Sequence, residues 1–144
     1  MVSLSVIHLQ MGLEIRLARE IITALHNEAA RAHPLEACGL LLGGADGAIR
    51  RIQPCANVAP DPARHFEIDP AALIAAWRHH RAGEEALLGF YHSHPSGDSR
   101  PSPTDRAMAA HDDMVWAIVA GGEVGWFRDN TEGFLVLSTS LVSD

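Results

Sequence analysis

Polar and apolar residues alternate in LEIRL (13–17), a pattern that predicts a short strand. Over 18–32, Ile21, Ile22, Leu25 and Ala29 recur at helical spacing. His33-Pro34 ends that helix, because a residue before proline is pushed out of the helical region. EACGLLLGG (36–44) is a continuous apolar run closed by two glycines, which predicts a buried strand. AIRRIQPCA (48–56) reads as its hairpin partner across GGADG. A proline-rich loop (57–65) leads to a helix over 68–83, with Asp69 as N-cap, Pro70 at its first position and Gly83 as its stop. ALLGFYHSH (86–94) reads as a strand, 95–101 as a loop and 102–112 as a helix. Three more strands are expected at 114–122, 123–129 and 133–142, with turns at the glycines and at DNTEG.

The resulting order, β-α-β-β-α-β-α-β-β-β, predicts an α/β fold: a single mixed, largely antiparallel sheet with three helices packed around it. Residues 1–12 read as a poorly ordered lead-in and 13–144 as one domain. An apolar fraction of 47% and a charged fraction of 20% are globular values. The formal charge of −7, the absence of lysine and the scatter of the arginines disfavour nucleic acid as a partner. Cys38 lies in an apolar run and reads as a buried free thiol, and two cysteines make neither a disulfide framework nor a four-cysteine zinc site. No apolar run approaches the roughly 18 residues of a membrane span, and no signal-peptide pattern opens the chain. A cytoplasmic protein that does not contact membranes is the expectation.

The candidate chemistry is concentrated in HSHPSGDSRPSPTD (92–105). Residues i and i+2 of a strand share a side, so His92 and His94 project together at the end of the 86–94 strand. Imidazole is a common zinc ligand, though two surface histidines would give the same pattern. SPTD is a capping box, with Ser102 as N-cap, Pro103 at the first helical position and Asp105 closing it. That accounts for these residues without a metal, but a first-turn carboxylate also has the fixed orientation a metal ligand needs. Zinc catalysis wants three protein ligands and an open position, and His92, His94 and Asp105 make such a set. Glu36 precedes an apolar strand and could aim a carboxylate into a cleft as a general base. An ordinary strand-end glutamate fits that position as well.

These stretches resemble the JAMM motif of the MPN (JAB) metalloproteases: His-x-His-Pro followed by Ser-x-x-Asp. HPLEACGLLLGG resembles the segment that carries the family's catalytic glutamate, and NVAPDPARHFEIDPAAL the loop and helix start between the two motifs. The likeness spans about residues 13–140. It implies one catalytic zinc ion held by His92, His94 and Asp105, with Glu36 as general acid/base and Ser102 as oxyanion stabiliser. It implies the family's mixed-sheet layout, which is related to that of the cytidine deaminases. It also implies a compact prokaryotic peptidase or isopeptidase that cuts the bond after a C-terminal Gly-Gly of a ubiquitin-like protein of the sulfur-carrier type. There Glu36 would assist attack by a zinc-activated water. RadC-like proteins share the HPSGD…PS stretch, and some MPN proteins are non-catalytic scaffolds; the acidic charge argues against the first and the full motif against the second. A zinc deaminase would need Pro-Cys-x-x-Cys, and QPCAN has no second cysteine.

Overall fold

A computed structural model describes residues 13–142; the 1–12 lead-in lies outside the described residues. The elements are β1 (Glu14–Leu17), α1 (Ile21–Ala32), β2 (Cys38–Gly43), β3 (Ile49–Cys55), α2 (Pro70–Arg81), β4 (Ala86–Ser93), α3 (Pro103–Met108), β5 (Val115–Ala120), β6 (Glu123–Asn130), β7 (Gly133–Val136) and β8 (Ser138–Leu141). The strands form one sheet in the order β7-β6-β5-β4-β2-β3-β1-β8. The pairings β1–β3, β1–β8 and β4–β5 are parallel and the other four antiparallel. The expected mixed sheet with three helices is therefore present among the described residues.

Two features depart from the local pattern. The expected last strand divides at Leu137. Its first half, β7, pairs with β6, and its second half, β8, pairs with β1 at the opposite end of the sheet order. The Leu137 N–H donates to the Trp126 carbonyl and the next N–H, of Ser138, to the Leu13 carbonyl, both at 2.9 Å. Consecutive residues thus bond opposite ends of the sheet, so the sheet curls until its ends meet. Ile21 and Leu25 of α1 pack inside this curl with Ile15, Leu41, Tyr91, Trp126 and Leu137. The other departure is α3, which ends at Met108 instead of running to 112. Asp129, fully buried, accepts the His111 N–H on Oδ2 at 2.9 Å, and its backbone carbonyl accepts the Asp113 N–H at 2.8 Å. His111 and Asp113 take φ values of 58° and 63° to reach it, which no helix accommodates.

The other face of the sheet carries α2. Asp69 accepts the Ala71 N–H on its side chain and Pro70 opens the helix, as the sequence predicts. Ala76, Leu73 and Trp77 pack on Leu40, Leu42 and Leu87. Strands β2 and β5 are buried along their whole length, which is why they read as unbroken apolar runs. Gly39, in the Glu-x-Cys-Gly segment, lies opposite Tyr91; a side chain there would run into the Tyr91 ring and the Gln53 carbonyl. That crowding explains glycine at this position and locks β2 to β4 beside the site.

Candidate active site

Strand pairing puts the candidate residues together. Cys38 on β2 faces His92 on β4. One residue further, the Ser93 N–H donates to the Ala37 carbonyl at 3.0 Å and the Ala37 N–H to Ser93 Oγ at 2.8 Å. The antiparallel register then sets Glu36 across from His94. On the far side of β4, the His94 N–H donates to the Val119 carbonyl at 2.9 Å, so the backbone of His94 is held from β5 as well. Glu36, His92 and Asp105 are 6%, 1% and 4% exposed, which withdraws all three from bulk water.

The capping box delivers Asp105. Ser102 Oγ accepts the Asp105 N–H at 3.0 Å, and Asp105 Oδ2 accepts the Ser102 N–H at 2.9 Å. The same carboxylate reaches the histidines: Oδ2 lies 3.0 Å from His94 Nε2 and 3.2 Å from His92 Nε2, and the two Nε2 atoms are 3.0 Å apart. Tetrahedral ligands about 2.0–2.1 Å from a zinc ion would be separated by roughly 3.3 Å, so the triangle has the right size. The protonation pattern agrees. His94 Nδ1 lies 2.7 Å from the Asp98 carbonyl, which can only accept, so Nδ1 carries a proton and the neutral imidazole presents its lone pair at Nε2. A lone pair facing a carboxylate needs a cation between them, either a proton or a metal ion. The donor set therefore fits a divalent metal held by His92, His94 and Asp105.

Without a metal, these groups depend on one another's charge. Burial would raise the Asp105 carboxyl, but the two imidazoles and the Ser102 N–H overcome it and hold the group well below the usual carboxylate range. Burial pulls His92 down, toward the neutral form a metal needs. Burial also opposes the charge on His94, but its contacts with Asp105 and Asp98 outweigh it and raise the imidazole. Glu36 is pushed up to about 7, chiefly by burial, with Asp105 and Asp61 adding to the shift and His94 opposing it. A carboxyl that titrates near neutrality can take up and release a proton at little cost.

Three supporting residues lie outside the sequence motifs. Phe66 stacks on the His92 ring, with centroids 4.1 Å apart and planes within 16°. Trp116, buried in the core, meets the same imidazole edge-on at 5.6 Å. Asn57 anchors the loop that brings Phe66 there. Its Nδ2 donates to the carbonyls of Glu36, Pro62 and His65, and its Oδ1 accepts the N–H groups of Ala59 and Glu67. Asn57 thereby ties the backbone of Glu36 to the loop that carries Phe66. The one local hint was an asparagine opening a proline-rich loop, a residue type suited to bonding nearby backbone.

A family model described as prokaryotic homologs of the JAB domain matches residues 18–131. The chain is 34% identical over 99 residues to a desampylase of Haloferax volcanii, covering 68% of this chain and 71% of that one. It is 32% identical over 103 residues to a CysO-cysteine peptidase of Mycobacterium tuberculosis, covering 70% and 69%. A protein of Desulfitobacterium hafniense solved in solution superposes with a TM-score of 0.76 at 30% identity, covering 90% of this chain and 94% of that one.

Proposed function

The chain belongs to the family of prokaryotic JAB-domain homologues, and from that membership we propose that it is a zinc peptidase acting after the C-terminal Gly-Gly of a ubiquitin-like sulfur carrier. It is a hydrolase of the JAMM type, acting on peptide or isopeptide bonds. Relatives named as a desampylase and a CysO-cysteine peptidase support the carrier class of substrate. The observation that carries the reading is the convergence of His92, His94 and Asp105 beside a buried Glu36 whose carboxyl titrates near neutrality. Residues 13–144 would form the catalytic domain. Among the described residues no helix is long and apolar enough to cross a membrane. Free thiols at Cys38 and Cys55 fit the cytoplasm, where this reading places the protein.

His92, His94 and Asp105 would hold the zinc ion. Bound there, zinc supplies a Lewis acid that makes water nucleophilic near neutral pH and polarises a carbonyl. Glu36 takes a proton from the attacking water as its oxygen adds to the carbonyl carbon of the terminal glycine. The C–N bond then breaks, and Glu36 passes that proton to the leaving amine, so no covalent intermediate with the protein is required. Ser102 acts on the developing oxyanion. Its oxygen accepts the Asp105 N–H, which leaves its own O–H free to donate. One such donor is worth about 3 kcal/mol in the transition state. Phe66 and Trp116 hold His92 in a fixed plane and keep water from its ring.

The test is cleavage of a sulfur-carrier fusion in which Gly-Gly is followed by further residues, read by mass spectrometry. Zinc-loaded protein should release the carrier ending in Gly-Gly, a chelator should stop the reaction and added zinc should restore it. Cleavage that survives chelation, or no cleavage by zinc-loaded protein, contradicts the proposal.

A further inference from the structure

A groove of about 370 Å³ borders the metal-ligand cluster, and His94, Asp98, Arg100, Ser102 and Arg106 line it. Its charge is unusual for this molecule. The chain carries −7 overall, and the carboxylates of Asp105 and Asp61 act on Glu36 beside the cluster. Here two arginines stand within the same depression as a candidate metal ligand and the candidate oxyanion donor.

The two arginines are not equivalent. Arg100 spends its charge locally, since its Nε and Nη2 donate to Asp98 Oδ2 at 3.2 and 2.8 Å. Arg106 has no carboxylate partner among the described residues. Its guanidinium lies over the Phe134 ring, 5.9 Å from the centroid. That contact restrains the side chain without neutralising it. Arg106 directly follows Asp105 on α3, so the capping box that orients the ligand also fixes where this cation starts. Arg106 thus stands between this depression and a second groove that it lines together with Phe134, as a cation without a carboxylate partner among the described residues.

A cation there suits one kind of leaving group. When the residue after the scissile bond is the last of its chain, its carboxylate is attached to the carbon next to the scissile nitrogen. A negative charge is then unavoidable beside the reacting atoms. When the leaving amine is a lysine side chain of a second protein, that position carries only methylene groups. Resting on the peptidase reading above, we propose that Arg106 receives the free α-carboxylate of the departing residue, so that this chain acts on carriers extended by a single terminal amino acid in preference to carriers joined to lysine. Arg106 is a specificity-determining residue in this account, and a guanidinium suits a carboxylate because its paired N–H groups match the two oxygens.

The experiment compares one sulfur-carrier fusion ending in Gly-Gly-Ala with the same fusion ending in the alanine amide. Zinc-loaded wild type should favour the acid by roughly tenfold or more in kcat/KM, the range of one charge-assisted hydrogen bond. Arg106→Ala should collapse that preference to about one, and Arg106→Lys should keep part of it. Binding gives a second readout without turnover. In the Glu36→Gln protein, the Arg106 Nε–H NMR signal should shift on addition of N-acetyl-Gly-Gly-Ala and stay in place with its amide. Equal rates on acid and amide, or an Arg106→Ala variant that keeps the preference, overturn the proposal while leaving the peptidase reading intact. Cleavage of neither substrate overturns the peptidase reading, and the Arg106 signal then decides the carboxylate site alone.

Discussion

At Glu36, catalysis and stability pull in opposite directions. Its carboxyl has an ordinary value of 4.5 and sits near 7 in the folded, metal-free chain, mainly because it is buried. Below 4.5 both the folded and the unfolded chain hold the proton, and the group is neutral for stability. As pH rises through about 7, the unfolded chain has already ionised and the folded chain must place a charge in a buried site. Glu36 therefore destabilises the metal-free protein at high pH. Glu36→Gln should raise its melting temperature at pH 8, with the gain fading toward pH 4.5; a gain independent of pH would contradict this assignment. A bound cation attracts the carboxylate and lowers its pKa, so the acid limb of kcat/KM should lie below about 7 in the zinc-loaded enzyme. Phe66 belongs to the same scale. Removing its ring frees His92 on one face, and Phe66→Ala should weaken zinc binding by about tenfold, as loss of other ligand-orienting contacts does. Competition with a chromogenic chelator reads this, and unchanged affinity would show that the stack orients nothing.

Helix α3 has six residues, too few to be stable on propensity alone. Its caps therefore matter more than usual. The capping box was plain in SPTD, because both of its hydrogen bonds are made within four residues and depend on nothing distant. The competition between a capped helix and a metal loop is resolved by geometry: Asp105 Oδ2 closes the box and faces the imidazoles with the same oxygen. The helix's early end was not legible, since it depends on Asp129, a residue far along the chain that captures 111 and 113. Ser102→Ala removes the oxygen that accepts the Asp105 N–H and should cost about 1 kcal/mol of stability. It also removes the proposed oxyanion donor. Ser102→Thr keeps both functions, so chemical denaturation and kcat should separate the two variants in parallel. A threonine variant as slow as the alanine one would argue that the hydroxyl serves neither role.

Over the whole molecule, the pattern of apolar positions predicted the three helices and the strands in order except that 133–142 reads as one strand where the structure has two, because β2 and β5 are buried along their whole length and stand out as apolar runs. It could not show the curl of the sheet. Which edge β7 and β8 join is decided by contacts with β6 and β1, far away in sequence, and a strand that changes partners at Leu137 looks the same locally as one that does not. Asn57 and Phe66 escaped for the same reason: each acts through partners distant in the chain. Glu36 stood out by its place before an apolar strand, but periodicity alone favoured an ordinary strand-end glutamate there, and the resemblance of its motif gave it a catalytic role. In the proposed function, one metal ion bound by His92, His94 and Asp105 works with Glu36 to hydrolyse the bond after Gly-Gly. The most direct measurement pairs metal content with single-turnover cleavage of the Gly-Gly fusion for wild type and Glu36→Gln. One bound zinc is expected in each protein, with cleavage by the wild type alone. Equal cleavage by Glu36→Gln, or a fully active wild type without zinc, would contradict it.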